Sequence, residues 1–282
     1  MNFGGNEVVY SYPESAIAII PVPYDGTSTW IKGADAGPEA LLQASVNLEF
    51  YDVETRTEVH KRGIFTMEPL VVKSTPGALV DSVGKEVSVL LNDNKFPVLI
   101  GGNHTVSIGA IRAFSEFYGD FSVLQLDAHT DLRNEYEGSE YNHACVMARA
   151  RETAMITQVG IRSMSAEEIP SAERSNIFYA HDLYYDKGLY DRAIESLNKN
   201  VYITFDLDVL DPSLMPSTGT PEPGGPDYFE IMHFVRKVAE RKNIVGFDIV
   251  ELCPSPENKA PDFVAAKILY QLLSYIFSNR RA

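Results

Sequence analysis

Two carboxylates and an imidazole occupy every second position of Asp127-Ala-His129-Thr-Asp131, directly after the apolar run 122–126. Extended backbone sends alternate side chains to one side, so the three converge at the carboxyl end of a strand. Open α/β sheets hold their ligands there. A lone Asp or His at such a point serves to cap the next helix; three ligand-type residues at period two point to a metal. Asp206-Leu-Asp208 repeats the arrangement after the run 201–205. Two ionised carboxylates so close repel each other and call for a cation, whereas Asp211-Pro212 reads as a turn. A third cluster, Gly101-Gly-Asn-His104-Thr105, joins the run 97–100 to a helical segment. Its glycines lack both the Lys-Ser/Thr of a P-loop and the dinucleotide-binding spacing. His104 therefore reads as a third arrival at the same rim.

His104, Asp127, His129, Asp131, Asp206 and Asp208 together supply two imidazoles and four carboxylates, enough for two metal ions. A nitrogen and oxygen set without thiolate suits Mn²⁺, Zn²⁺ or Fe²⁺ better than Ca²⁺, and the carboxylate majority leans to Mn²⁺. Two such ions, roughly 3.5 to 4 Å apart, share a water and bring its pKa toward neutrality. The chemistry implied is hydrolysis.

The elements that must carry these residues follow from the hydrophobic pattern. Short β-branched runs at 16–20, 70–72, 97–100, 122–126, 156–159, 177–180, 201–205 and 244–249 read as buried parallel strands. Segments with helical spacing lie between them, at 78–91, 106–117, 189–197, 228–240 and 260–277. The alternation predicts an α/β fold with a parallel sheet, either an open three-layer sandwich or a closed barrel. The Pro- and Gly-rich stretch 211–227 is too long for a simple connector and is a candidate wall of the site. With no repeat or linker-like shift in composition, residues 1–282 read as a single domain.

Composition narrows the partners. A formal charge of −15 repels phosphate backbones, so nucleic acid is excluded as a partner, and it favours the approach of cations. No secretory signal or bilayer-length apolar stretch is visible, which predicts a cytoplasmic protein without a membrane partner. Cys145 and Cys253 are too few for a disulfide framework and fit a reducing compartment.

The ordered motifs Gly101-Gly-Asn-His104, Asp127-Ala-His-Thr-Asp131 and Asp206-Leu-Asp-Val-Leu-Asp-Pro212, running on to Pro216-Ser-Thr-Gly-Thr-Pro221, resemble the ureohydrolase family of arginases and agmatinases. The likeness extends to Pro23-Tyr-Asp-Gly26, residues 33–38, Gly160-Ile-Arg162 and Phe247-Asp-Ile-Val-Glu251, and so covers most of the chain. It implies an arginase-like three-layer α/β/α sandwich, two Mn²⁺ per subunit and a homo-oligomer, trimeric or hexameric. It further implies that His104, Asp127, Asp131 and Asp206 hold one ion and Asp127, His129, Asp206 and Asp208 the other. Glu251 would grip the substrate guanidinium, for which two acceptor oxygens suit a planar fork of N–H donors. Asp131 would take the proton of the attacking water, and His143, also at the substrate, would relay one to the departing amine. Asn103 departs from the family, standing where Asp is frequent, with the tuning of His104 at stake. Cys145, near His143 but without triad partners, reads as inert, and His60, His181 and His233 have no comparable context.

Segment 132–142 resembles that of agmatinases. Near the substrate, Glu135, Glu137 and Glu140 would oppose a carboxylate and tolerate an ammonium tail, although Arg133 pulls the other way and most of the three read first as solvated surface charge. The leading expectation is a small cationic guanidino substrate, agmatine, cleaved to putrescine and urea in polyamine biosynthesis. Arginine, aminopropylagmatine, guanidinobutyrate and formiminoglutamate are alternatives within the family. Outside it stand a two-metal phosphoesterase, which should show basic anchors for phosphate, and an inactive metal-binding scaffold.

Overall fold

The computed structural model describes residues 1–72 and 74–278. Residue 73 and residues 279–282 of the predicted domain lie outside the described residues. Eight strands form one sheet: β1 (Ile17–Val22), β2 (Ile64–Thr66), β3 (Phe96–Gly101), β4 (Phe121–Leu126), β5 (Met155–Ile161), β6 (Asn176–Tyr179), β7 (Asn200–Asp206) and β8 (Asn243–Val250). They run in the order β2-β1-β3-β8-β7-β4-β5-β6 and every pairing is parallel. Nine α-helices are described: α1 (Gly37–Ser45), α2 (Pro76–Asn92), α3 (Val106–Phe117), α4 (Val146–Ala150), α5 (Ile169–Ala172), α6 (Ala180–Tyr185), α7 (Leu189–Glu195), α8 (Tyr228–Arg241) and α9 (Ala260–Ser278).

Alternation along each strand feeds two cores, as period two requires. Ile17, Ile19, Val98, Ile100, Ile203 and Phe205 pack with residues of α1, α7, α8 and α9. Ala18, Ile20, Leu99, Val123 and Tyr202 pack with α2, α3 and α4 on the other face. The result is an open α/β/α sandwich, which resolves the choice against a barrel.

Two helices carry start signals legible in their residues. Thr75 caps α2 by accepting a hydrogen bond from the Ala78 N–H, with Pro76 as the first helical residue, and Asp227 caps α8 through the Glu230 N–H. One predicted strand is wrong. Residues 70–72 form no strand, and the edge position belongs to Ile64–Thr66, paired with Ile17–Ile19 of β1. Met67 and Leu70 still donate to the carbonyls of Ile19 and Pro21, but Val71 is exposed. Pro69, which has no N–H to give, precedes Leu70 and breaks the ladder. Among the described residues, no helix is long and apolar enough to cross a membrane.

Candidate active site and metal centre

The chain lays β3 and then β4 three positions apart in the sheet, and returns later to fill the gap with β7 and β8. The carboxyl ends of these four adjacent strands carry every predicted site residue except His143. His104 follows β3, Asp127, His129 and Asp131 follow β4, Asp206 ends β7 with Asp208 just beyond, and Glu251 follows β8. His143 reaches the same place from the single 3-10 turn His143–Cys145. All eight line one cavity of about 300 Å³.

Backbone contacts lock these strand ends together. Gly102 N–H donates to Val22 O, and its own carbonyl accepts from Glu251 N–H. A Cβ on Gly102 would lie 2.0 Å from Tyr24 O, so no other residue fits this crossing. The glycines read from sequence thus serve close backbone approach. Asp131 (φ +51°) and Glu251 (φ +68°) hold left-handed backbone without being glycine, a cost that concentrates at functional sites.

His104 Nδ1 lies 3.0 Å from Asp131 Oδ2, 3.2 Å from Asp127 Oδ2 and 3.4 Å from Asp206 Oδ2. This nitrogen is buried and has no hydrogen-bond partner. His129 Nδ1 lies 3.0 Å from Asp208 Oδ2 and 3.6 Å from Asp127 Oδ1. Potential ligand atoms of His104, Asp127 and Asp206, and of Asp127, His129 and Asp208, gather in two groups that share Asp127. The carboxylates are aimed by backbone N–H groups: Asp127 Oδ1 accepts from His129, Asp208 Oδ1 from Ala128 and Asp206 Oδ1 from Asp208, at 2.6, 3.0 and 2.9 Å. Gln125 Nε2 donates to Asp127 Oδ2 and is itself held by Gln158.

The electrostatics of this arrangement demand positive charge. Burial and then neighbouring carboxylates push the carboxyls of Asp131 and Asp206 above the usual range, and burial lifts Glu251 to about 8. Burial opposes charge on the imidazoles, yet Asp127 and Asp131 hold His104 well above its ordinary value, and Asp208 and Asp127 push His129 up to about 12. Six carboxylates line the cavity against one guanidinium, Arg133. An imidazole nitrogen ringed by three carboxylate oxygens needs positive charge among them, a proton or a metal ion, and the donor set fits metal ions of the nitrogen and oxygen class.

Residues 15–274 match the model of the arginase family. The chain belongs to the arginase family. It is 37% identical to the N(1)-aminopropylagmatine ureohydrolase of Synechocystis sp., over 98% of this chain and 94% of that protein. The agmatinase of Pyrococcus horikoshii is 31% identical, with 90% of each chain covered. The crystal structure of the agmatine ureohydrolase of Thermoplasma volcanium superposes with a TM-score of 0.90 at 31% identity, covering 98% of this chain and 94% of that one. The arginase-like sandwich implied by the motifs is thereby established, and with it a ureohydrolase at the level of reaction class.

Within this arginase-family site the structure decides two readings that the residues left open. Glu135, Glu137 and Glu140 are exposed and absent from the cavity wall, and Glu140 pairs with Arg149. Of segment 132–142 only Arg133 and Tyr136 line the cavity. Asn103 does not touch the His104 ring; its Nδ2 donates to Thr27 and Ser28 Oγ atoms, bracing the loop after β1. His104 Nε2 instead meets Thr204 Oγ1 at 2.8 Å. Thr204, Asp248, Gln125, Gln158 and Glu168 are the supporting residues that motif reading missed. Glu168 Oε1 accepts from Thr130 Oγ1 and Leu132 N–H, fixing the turn that carries Asp131. The legible signal was polar side chains at alternate positions inside strongly apolar strands, as in Val-Tyr-Ile-Thr204-Phe-Asp. Thr220 of stretch 211–227 lines the cavity, and burial lifts the Cys145 thiol to about 12, far from a reactive thiolate.

Proposed function

We propose that the chain is a manganese ureohydrolase that cleaves a guanidino substrate with an amine tail and no carboxylate. The observation that carries this reading is a cation-demanding carboxylate cluster and the Glu251 carboxylate in one cavity. In this reading His104, Asp127, Asp131 and Asp206 would hold one ion and Asp127, His129, Asp206 and Asp208 the second, in keeping with a family of binuclear metal enzymes. When bound, the pair supplies Lewis-acid charge that acidifies water near neutral pH.

The chain's own residues do the rest. Glu251 Oε1 is engaged by the His104 N–H at 2.6 Å, which orients the carboxylate so that Oε2 is left for the guanidinium. Asp131, with its carboxyl raised by burial, accepts the proton lost by the attacking water. His143 stands at the wall to pass a proton to the departing amine.

Arg133 bears on substrate choice. Its guanidinium is paired with Glu167, lies 3.9 Å from Glu168 and sits 4.6 Å from the centre of the Tyr136 ring. Since Arg133 is the one Lys or Arg among the described lining residues, a carboxylate tail finds no free cation. This disfavours arginine, guanidinobutyrate and formiminoglutamate, and a phosphoesterase as well. Agmatine is the simplest substrate that remains. The names of the 37% identical relatives favour N(1)-aminopropylagmatine as a second.

Urea release by the Mn²⁺-loaded protein, offered agmatine, N(1)-aminopropylagmatine and arginine separately beside a metal-stripped control, tests both. Metal-dependent urea from either amine over arginine is expected; arginine preference, or no urea from any, would overturn the reading. We further read residues 1–282 as one cytoplasmic domain assembled as a trimer or hexamer, and a monomeric mass by light scattering would contradict the assembly.

A further inference from the structure

We infer that Thr204, braced by Asp248, is a positioning residue: it selects the ring nitrogen that His104 turns to the carboxylate cluster and so sets the affinity of the metal position that His104 serves. This rests on the reading of His104 as a ligand.

The argument begins with strand register. Tyr202, Thr204 and Asp206 alternate along β7 and share one face, and in the β7–β8 pairing Thr204 stands opposite Asp248. Tyr202, Thr204 and Asp248 are fully buried, and His104 nearly so, which makes an unmet polar group there costly. Tyr202 OH donates to Asp248 Oδ2 and Thr204 Oγ1 to Asp248 Oδ1, each at 2.7 Å. Both oxygens of Asp248 act as acceptors, the arrangement of an ionised carboxylate.

A threonine hydroxyl has one proton, and here Asp248 Oδ1 at 2.7 Å takes it ahead of Ser107 Oγ at 3.4 Å. The 2.8 Å contact between Thr204 Oγ1 and His104 Nε2 must then be a bond in which Nε2–H donates. An imidazole that keeps its proton on Nε2 can give up only the one on Nδ1, and it then offers a metal the Nδ1 lone pair. That nitrogen is the one 3.0 to 3.4 Å from Asp131, Asp127 and Asp206 and without a hydrogen-bond partner. The chain Tyr202–Asp248–Thr204 thus presents a ligand lone pair to the cluster. His129 has no such brace from Thr204, so the two metal positions should respond differently when Thr204 is altered.

The test is a titration of metal-free protein with Mn²⁺, following the free ion by electron paramagnetic resonance. Wild type is expected to take two tight equivalents. Thr204→Val keeps the shape and removes the acceptor; one equivalent should weaken about 10- to 100-fold while the other is unchanged. Thr204→Ser should restore both, and Asp248→Asn should fall between. Two unchanged equivalents in Thr204→Val would overturn the inference. Equal weakening of both, with a lower melting temperature of the metal-free protein, would assign Thr204 a merely structural role and overturn it too. Should Thr204→Val not fold, wild-type affinity at both positions in Asp248→Asn would overturn it. A wild type that binds no tight Mn²⁺ would instead sink the ligand reading and the inference with it.

Discussion

His143 enters the cavity from a single turn, and burial followed by the nearby His104 holds its imidazole down to about 4. It is therefore neutral across the working range of pH and must gain a proton before it can give one. His143→Asn preserves the approximate shape and removes this exchange, so turnover should drop roughly 100-fold or more while metal content stays at the wild-type level. Unchanged turnover, read beside metal analysis of the same sample, would remove His143 from the proton path. At this scale the sequence was most legible where chemistry repeats at short spacing, as in Asp127-Ala-His-Thr-Asp131. It was least legible where a partner comes from another strand. Nothing local ties Thr204 to His104, 100 residues away, and only strand register brings them together. The surface position of Glu135 and Glu137 agrees with the ordinary preference of charged side chains for water, although a loop carries no period to say which of its residues turn inward.

The element that ties the site's second half together is the turn after β5. Arg162 donates to the carbonyls of Gly160, Asp208, Val209, Leu210, Glu222 and Pro223, joining the end of β5 to the turn after β7 and to stretch 211–227. Removing the guanidinium leaves several half-buried carbonyls unmet. Arg162→Met should cost about 2–4 kcal/mol, read as a lower urea midpoint of the metal-free protein. A loss under about 1 kcal/mol would mean that water replaces the guanidinium at these carbonyls. Strands were recovered from sequence wherever burial on both faces made a continuous apolar run, as for β3, β4, β7 and β8. The edge failed: Ile64–Thr66 is three residues long, too short for any period to register, while the more apolar 70–72 follows Pro69.

For the whole molecule, alternation of runs and helical segments was enough for a parallel α/β fold, but sandwich and barrel share that alternation, and only the family likeness separated them. Six of the acidic side chains behind the net charge of −15 line the cavity. Metal binding should therefore stabilise the fold as well as arm it. At free Mn²⁺ about 100-fold above the dissociation constant, one ion contributes about 2.7 kcal/mol, so chelation should lower the melting temperature by roughly 5–10 °C, restored on adding Mn²⁺ back. An identical transition with and without chelator would count against the cluster as a metal centre. The sheet order has one more consequence, which concerns how the protein is made. The two strands at the middle of the sheet, β7 and β8, are the last to leave the ribosome. A chain cut before residue 200 has the strands of β2-β1-β3 and of β4-β5-β6 but lacks the two that join them, so β3 and β4 would each be left with an unpaired flank. Until the last two strands are made, the site cannot assemble, and unpaired strand edges of this kind invite association with other chains.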